Sequence, residues 1–159
     1  MPDFGSLLQK HLVSGFKNLV VARKTRSDQE DVGRRSNLMH SVLVDTSVWV
    51  EHLRNTSNEL IALLEDDLVL CHPAVIGELA CGHLRNRTQI LQLMRQLPSA
   101  STASFEELLQ FIDDVSLQGK ELGWIDVQLL ASARLSQGLL FSRDKALNRA
   151  ATTLGLQYK

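Results

Sequence analysis

The sequence predicts an α/β domain in which a central parallel sheet lies between helices. Three short apolar runs, far apart along the chain, are typical of strands that are buried on both faces. Helical patterns occupy the intervals between these runs, and the intervals are too long for hairpins, so parallel pairing is expected. The chain has 159 residues and no internal repeat, which suits one domain.

The first elements follow from local signals. Val42–Val44 is a wholly apolar, mostly β-branched run at the centre of a strand predicted over Ser41–Asp45. Thr46 and Ser47 are suitable N-cap residues, and they precede a helix predicted over Val48–Leu53. The first strand is therefore expected to lead directly into a helix.

Polar residues and proline limit the elements that follow. Asn55–Ser57 precede a short helix predicted at Asn58–Glu65, and Leu68–Leu70 is a second buried strand. Pro73 suits the first turn of a helix that is predicted to continue to about Leu84. The remaining predicted elements are helices at Thr88–Leu97, Phe105–Leu117 and Ile125–Ser136, a strand at Leu139–Ser142, a helix at Lys145–Leu154 and an edge strand at Leu156–Tyr158.

Residues 1–38 are predicted to be an N-terminal extension or linker, or the product of a misplaced start. They carry seven basic and four acidic side chains, whereas residues 39–159 carry ten and fourteen. Lys10 and Lys17 interrupt their apolar pattern, which excludes a secretory signal. The functional domain is predicted to span residues 39–159, and a helix that docks on a partner or a membrane is the alternative interpretation of the leader.

Composition excludes several classes of protein. An apolar fraction of 44% and a charged fraction of 22% exclude wholesale disorder, and no apolar run is long enough to cross a bilayer. Cys71 and Cys81 lack Cys-x-x-Cys spacing, which argues against a disulfide scaffold and a structural zinc site. We therefore expect a reducing, cytoplasmic setting.

Four acidic residues stand at informative positions in this pattern. Asp45 ends the first strand and Asp144 follows the third, and the carboxyl ends of parallel strands meet at one edge of a sheet. Asp126 opens an apolar helix, and Glu78 lies among apolar residues within another helix. A charge in such surroundings is costly to bury unless it is paired or metal-bound, so Glu78 and Asp126 are expected to be functional.

The four acids predict a metal site. Converging carboxylates repel one another, and no basic residue lies beside Glu78 or Asp126 in the sequence. One or two Mg²⁺ or Mn²⁺ ions would relieve this repulsion, and such ions can clamp a phosphodiester and activate a bound water. The predicted metal ligands and catalytic residues are Asp45, Glu78, Asp126 and Asp144, with Ser47 and Ser142 as auxiliary polar residues that position waters or a phosphate oxygen.

Each of these signals also has a structural explanation. The three aspartates can simply cap the helices that they precede or begin, and a different helix register would turn Glu78 to solvent. Isolated basic residues can grip a phosphate backbone, but they are more often only solvated. Residues expected to be structural, anchoring or solvent-exposed are His72, His83, Trp49, Trp124, Arg54, Arg85, Arg87, Arg143 and Lys145.

The order of the four acids resembles that of the PIN-domain ribonucleases, and more closely that of VapC-type toxins of toxin–antitoxin pairs. The similarity covers residues 39–159, and residues 1–38 have no counterpart in the usual pattern of that family. Ser142 stands where many relatives have threonine, so the hydroxyl is kept. The matching stretches are VLVDTSVWVEHL at Val42–Leu53, HPAVIGEL at His72–Leu79, LGWIDVQLLASA at Leu122–Ala133 and LFSRDKAL at Leu140–Leu147.

The resemblance implies a three-layer α/β/α PIN-like domain that acts as an Mg²⁺- or Mn²⁺-dependent endoribonuclease toxin. It also implies a homodimer, an RNA substrate that is often structured tRNA or rRNA, and inhibition by a cognate VapB-type antitoxin. A basic antitoxin residue commonly pairs with the acidic cluster, which relieves charge as a metal does. Candidates for an apolar groove, a dimer face or the core are Leu60, Leu63, Leu64 and Leu84.

Other functions stay open at this stage. A metal-dependent phosphatase or a flap-type DNA nuclease would use the same acidic site. A receiver-like regulatory domain would accept a phosphoryl group at Asp45 with help from Lys145, but it would give Glu78 no duty. A PIN scaffold that binds nucleic acid without cutting it would not need the complete acidic set.

Overall fold

The computed structural model describes residues 40–159, and in this part of the chain three strands alternate with seven helices. The predicted leader over residues 1–38 and the predicted domain start at Met39 lie outside the described residues. The strands are β1 (Val42–Val44), β2 (Val69–Leu70) and β3 (Leu139–Phe141). The helices are α1 (Thr46–Arg54), α2 (Asn58–Glu65), α3 (Pro73–Cys81), α4 (Arg87–Met94), α5 (Phe105–Asp114), α6 (Trp124–Leu135) and α7 (Lys145–Thr153).

The central strand of the sheet is β1, and both β2 and β3 run parallel to it. The register pairs Val42 with Val69 on one side, and it pairs Val44 with Phe141 on the other. The carboxyl ends of β1 and β3 therefore lie side by side, and the residues that follow these two strands start at the same edge of the sheet.

Helices cover both faces of the sheet, as predicted for a three-layer α/β/α domain. The chain crosses from β1 to β2 in one direction and from β2 past β1 to β3 in the other. Because crossover connections between parallel strands are right-handed, these two crossovers place their helices on opposite faces. Helix α6 packs directly on β1 and β3, α5 packs on α6, and all three residues of β1 are buried in the core between the layers.

A close backbone approach occurs where β3 begins. The Leu139 N–H donates to the Ser41 carbonyl oxygen at 2.9 Å. A Cβ atom added to Gly138 would lie only 2.6 Å from that same oxygen, so a side chain there would push the strands apart. Glycine at this position is therefore required for β3 to reach β1 in the observed register.

The predicted elements are present except for the C-terminal edge strand, but their ends differ. The helix that was predicted to reach about Leu84 ends at Cys81, and Gly82 follows as its C-cap residue. The first helix begins at Thr46 because Asp45, rather than Thr46 or Ser47, is its N-cap. The predicted edge strand is reduced to one bridge between Leu140 and Gln157. Across residues 40–159, no helix has the length and apolar character that a bilayer-spanning segment needs.

Helix α3 begins at a histidine cap. His72 is buried, and its Nδ1 accepts a hydrogen bond from the Ala74 N–H at 3.0 Å. Only an unprotonated Nδ1 can accept this bond, so the cap requires the neutral imidazole. Burial lowers the pKa of His72 below its ordinary value, which favours the same neutral form.

We predict that this cap makes the stability of the domain sensitive to acid. The folded state binds the His72 proton less tightly than the unfolded state, whose pKa is about 6.5. The stabilisation is therefore present above about pH 6.5 and is lost as the pH falls through the lower pKa of the folded state. His72→Asn keeps a capping side chain that does not titrate, so urea unfolding midpoints should fall less on acidification than those of the wild type. His83→Asn, at an exposed histidine, is the control, and equal acid sensitivity in His72→Asn and the wild type would contradict the prediction.

Candidate active site

The adjacent ends of β1 and β3 bring Asp45 and Ser142 together. Asp45 is buried directly after Val44, and its N–H donates to the Phe141 carbonyl oxygen at 2.9 Å. Because Val44 pairs with Phe141, the next residue of each strand lies opposite the other. The Ser142 hydroxyl donates to Asp45 Oδ2 at 2.8 Å.

A second hydroxyl, that of Ser47, binds the same carboxylate oxygen. Ser47 Oγ lies 2.5 Å from Asp45 Oδ2 and accepts a hydrogen bond from the Arg143 N–H at 2.9 Å. Ser142 Oγ likewise accepts a hydrogen bond from the Asp144 N–H at 2.9 Å. Each hydroxyl thus accepts from the loop between β3 and α7 and donates its single proton to Asp45, so the loop fixes the direction of both donors.

Glu78 reaches this corner of the molecule from α3, which packs against α1. Its Oε2 accepts a hydrogen bond from the hydroxyl of Thr46, the residue that directly follows Asp45. The expectation that Glu78 is buried among apolar neighbours is wrong. Val75 and Leu79 turn to the core, whereas Glu78 is exposed on another face of the helix. The contact with Thr46, rather than burial, is what directs this side chain.

The other two acids lie at helix N-termini. Asp126 is the third residue of α6, is partly buried, and accepts the Gly123 N–H through Oδ2 at 2.7 Å. Asp144 is the exposed N-cap of α7 and accepts the Leu147 N–H through Oδ1 at 2.8 Å. Capping is therefore a correct description of both residues, and also of Asp45 at the start of α1.

Hydrogen bonds within the protein use only one oxygen of each carboxylate. In all four acids one oxygen accepts a hydrogen bond from the protein, and the other, which we call the spare oxygen, accepts none from residues 40–159. Outer hydrogen bonds of this kind are what orient metal-ligating carboxylates. The bonded oxygens are Asp45 Oδ2, Glu78 Oε2, Asp126 Oδ2 and Asp144 Oδ1.

The other three carboxylates also act on Asp126 electrostatically. Burial raises the pKa of Asp126, the Gly123 N–H lowers it, and the charges of Asp144, Asp45 and Glu78 raise it further. Within residues 40–159, none of the four forms an ion pair with an arginine, lysine or histidine. Their repulsion is therefore not relieved by the described part of the chain.

This donor set suits a hard divalent cation, since Mg²⁺ and Mn²⁺ prefer carboxylate oxygens and the repulsion calls for positive charge. With the side chains as they stand, no three acidic, histidine or cysteine residues of the described chain lie close enough together to hold an ion. Glu78 and Asp144 are exposed, so their side chains are freer to change rotamer than those of the buried Asp45 and the partly buried Asp126.

The remaining apolar and histidine candidates have varied positions. Trp49 is buried in the core, whereas Trp124 is 44% exposed. His72 is the buried cap of α3, and His83 is exposed. Leu84 is half-buried against the core. The leucines of α2, which were candidates for a groove or the core, all belong to the core: Leu60, Leu63 and Leu64.

The basic candidates lie on the surface. Arg87 donates through Nε to the Ala80 carbonyl oxygen at the end of α3, and Arg143 pairs with Glu51 and Glu59. The other exposed basic candidates are Arg54, Arg85 and Lys145. None of these basic residues contacts the four acids through an ion pair in residues 40–159.

Sequence reasoning missed the contributions of Thr46 and Gly123. Thr46 was considered only as a helix cap, but Asp45 fills that role and leaves the threonine hydroxyl to bind Glu78. The contribution of Gly123 is its backbone N–H, which no side-chain pattern reports. One signal for the role of Thr46 is present in the sequence. Asp45 can cap the helix itself, which leaves the hydroxyl of the next residue, Thr46, for another partner.

The sequence of this chain is similar to that of known proteins. The family model described as PIN domain matches residues 42–152, which contain all four acids. Ribonuclease VapC32 of Mycobacterium tuberculosis, in strain CDC 1551 / Oshkosh and in strain ATCC 25618 / H37Rv, is 41% identical to this chain over 116 residues. Each alignment covers 72% of this chain and 94% of the relative.

Thr46→Val should weaken divalent-metal binding, because it removes the only hydroxyl that orients Glu78 among the described residues. Loss of such an orienting hydrogen bond typically costs about 10-fold or more in metal affinity. Titration calorimetry with Mn²⁺ measures the dissociation constant, and thermal melting checks that the fold is kept. Thr46→Ser retains the hydroxyl and should restore most of the affinity. Equal Mn²⁺ affinity in the valine and serine variants would show that Thr46 does not position Glu78.

Proposed function

The chain belongs to the PIN-domain family, and from this premise we propose that it is a metal-dependent endoribonuclease toxin inhibited by a cognate VapB-type antitoxin. Its identity of 41% to Ribonuclease VapC32 supports RNA as the substrate and a toxin–antitoxin setting. Structured tRNA or rRNA is the substrate class that the family resemblance suggests.

One observation carries the proposal: four acids from separate parts of the chain share one electrostatic environment and each keeps a spare oxygen. After burial, the charges of Asp144, Asp45 and Glu78 raise the pKa of Asp126, as expected for carboxylates that lie within electrostatic range of one another. We assign the metal-binding and catalytic roles to Asp45, Glu78, Asp126 and Asp144, and the auxiliary roles to Ser47 and Ser142.

The negative charge of the four carboxylates explains why the proposed reaction needs a metal ion. Four carboxylates repel an RNA phosphate, so RNA can approach only when positive charge is present. Bound by the spare oxygens, Mg²⁺ or Mn²⁺ would neutralise the phosphodiester and lower the pKa of a water that attacks phosphorus. The protein holds the ligands for this role: Ser47 and Ser142 fix Asp45, Thr46 fixes Glu78, and the Gly123 N–H fixes Asp126.

The same unrelieved negative charge supports the proposed antitoxin. An arginine or lysine of the antitoxin, placed among the four acids, would relieve their repulsion as a cation does and would exclude the metal. The free cysteines Cys71 and Cys81 suit the reducing cytoplasm in which such a pair would act. A short neighbouring gene for a DNA-binding protein is the genomic observation that would support this partner.

An apolar surface supports a homodimer. Phe105 and Leu109 of α5 are 58% and 46% exposed, and Trp124 of α6 lies against Phe105 with ring centroids 5.6 Å apart. Phe105 and Leu109 are four residues apart on one helix and thus share a face. We call these three residues the α5–α6 patch. Exposed clusters of large apolar side chains mark association surfaces more often than isolated ones do.

The alternative activities share the acidic site and are separated by substrate. A panel of single-stranded and structured RNA, DNA and a phosphomonoester, each incubated with Mn²⁺ and the purified chain, distinguishes them. We expect cleavage of RNA alone. Release of phosphate from the monoester would indicate a phosphatase, cleavage of DNA would indicate a DNA nuclease, and binding without cleavage would indicate a non-catalytic scaffold.

Asp45→Asn and Asp126→Asn should each reduce RNA cleavage at least about 100-fold, because each removes a charged metal ligand. Both variants should fold, since the amide oxygen can still accept the capping hydrogen bond. Cleavage of labelled RNA and thermal melting measure the two effects. Asp113→Asn, at an exposed acid of α5, is the matched control and should retain full activity.

Glu78→Gln distinguishes the nuclease from the receiver-like alternative. The proposed site predicts a similar loss of RNA cleavage, because Glu78 supplies one of the four charges. A receiver-like domain would still accept a phosphoryl group at Asp45 in this variant. Full RNA cleavage by any of the Asp45, Glu78 or Asp126 variants would refute the roles that we assign.

Leu109→Glu should convert the proposed dimer to a monomer, because it places a charge within the α5–α6 patch. Sedimentation velocity of the full chain measures the change in mass. Leu135→Glu, at an exposed leucine of α6 outside the patch, should leave the dimer intact. A wild-type chain that sediments as a monomer, or a Leu109→Glu variant that remains dimeric, would exclude this interface.

A further inference from the structure

Arg143 lies between two residues of the proposed site, in the loop that joins β3 to α7. Its backbone N–H donates to Ser47 Oγ at 2.9 Å, and the adjacent Asp144 N–H donates to Ser142 Oγ at 2.9 Å. These bonds leave both hydroxyl protons for Asp45 Oδ2. The position of this loop therefore decides whether the two hydroxyls point at Asp45.

The side chain of Arg143 contacts three elements. Its Nε donates to Glu51 Oε2 of α1 at 2.7 Å, and its Nη2 donates to Glu59 Oε2 of α2 at 3.3 Å. Its guanidinium carbon lies 4.9 Å from the centre of the Phe141 ring of β3. The guanidinium is thus fixed by two carboxylates and by stacking.

Both ends of Arg143 are attached to the same helix. The backbone binds Ser47 and the guanidinium binds Glu51, and these residues are four apart, one turn along α1. The loop cannot slide along α1 or rotate away from it without breaking both bonds. Because exposed ion pairs contribute little to the free energy of unfolding, stability alone does not account for this double attachment.

We propose that Arg143 is a positioning residue of the active site: its guanidinium holds the β3–α7 loop on α1, and the loop in turn directs the Ser47 and Ser142 hydroxyls to Asp45. This arrangement occupies Asp45 Oδ2 and leaves its spare oxygen for the metal ion. The inference rests on the proposed function, because it assigns Arg143 a role in keeping Asp45 ready to bind that ion.

The loss of charge and the loss of positioning in Arg143→Ala should change metal affinity in opposite directions. Removing a positive charge near a cation site should strengthen cation binding by simple electrostatics. Positioning predicts the opposite, because a released loop would no longer orient the hydroxyls. A decrease in metal affinity in Arg143→Ala therefore cannot be caused by the loss of charge alone.

The experiment compares Arg143→Ala with Arg149→Ala, which breaks another exposed arginine–glutamate pair, to Glu121. Calorimetry with MnCl₂ measures metal binding directly, and cleavage assays give kcat and KM for RNA. We expect Arg143→Ala to raise the Mn²⁺ dissociation constant about 10-fold and to lower kcat, with KM within about twofold. Arg149→Ala should match the wild type in all three quantities.

Two results would overturn the proposal. One is an Mn²⁺ affinity in Arg143→Ala that equals or exceeds that of the wild type. The other is a rise in KM with kcat and Mn²⁺ affinity unchanged, which would make the guanidinium an RNA-phosphate contact. A wild-type chain that neither binds Mn²⁺ nor cleaves RNA would refute the proposed function itself, and this inference with it.

A second variant tests the positioning role of Arg143 if Arg143→Ala does not fold. Glu51→Asp keeps the charge at this position and leaves the arginine its Glu59 and Phe141 contacts, but the shorter side chain withdraws the carboxylate from Arg143 Nε. Glu121→Asp makes the same change in another arginine–glutamate pair and serves as its control. Weaker Mn²⁺ binding in Glu51→Asp than in Glu121→Asp would support the proposal, and equal binding would overturn it.

Discussion

The parallel pairing of β1 with β3 is the constraint on which the rest of the site depends. It sets Asp45 opposite Ser142, and the hydrogen bonds of Ser47, Arg143 and Asp144 are arranged around that pair. The pairing in turn requires that the two backbones approach closely at Gly138. A change of register by one residue would turn the strand residues to opposite faces and separate the aspartate from its hydroxyl donors. The sheet thus decides where Asp45 and Ser142 meet, and the loop after β3 completes the hydrogen bonds around them.

Capping and metal binding are compatible because a carboxylate has two oxygens. Asp45, Asp126 and Asp144 each use one oxygen to complete a helix N-terminus, where negative charge is favoured. This use fixes the side chain and leaves the other oxygen available. Glu78 lies in the middle of α3, where no cap exists, and depends on the Thr46 hydroxyl instead. The two interpretations that sequence patterns leave open for the aspartates are therefore two functions of the same side chains.

Much of the fold could be predicted from the sequence, because apolar runs and caps are local signals. The strand at Val42–Val44 and the helix at Asn58–Glu65 are in their predicted places. The exposure of Glu78 could not be predicted, since it depends on how α3 is rotated against the core, and that rotation is set by tertiary packing around Val75 and Leu79. The hydrogen bonds from Thr46 to Glu78 and from Arg143 to Glu51 join residues far apart in the chain. The spacing of apolar residues in the sequence therefore cannot predict them.

The raised pKa of Asp126 has a consequence for how sequences of this kind can change. An asparagine there would keep the bond from Gly123 and remove one source of repulsion, so a chain selected for thermal robustness alone would tend toward the amide. Mutagenesis that selects only for stability would therefore favour variants of this domain that keep the fold and lose a proposed metal ligand.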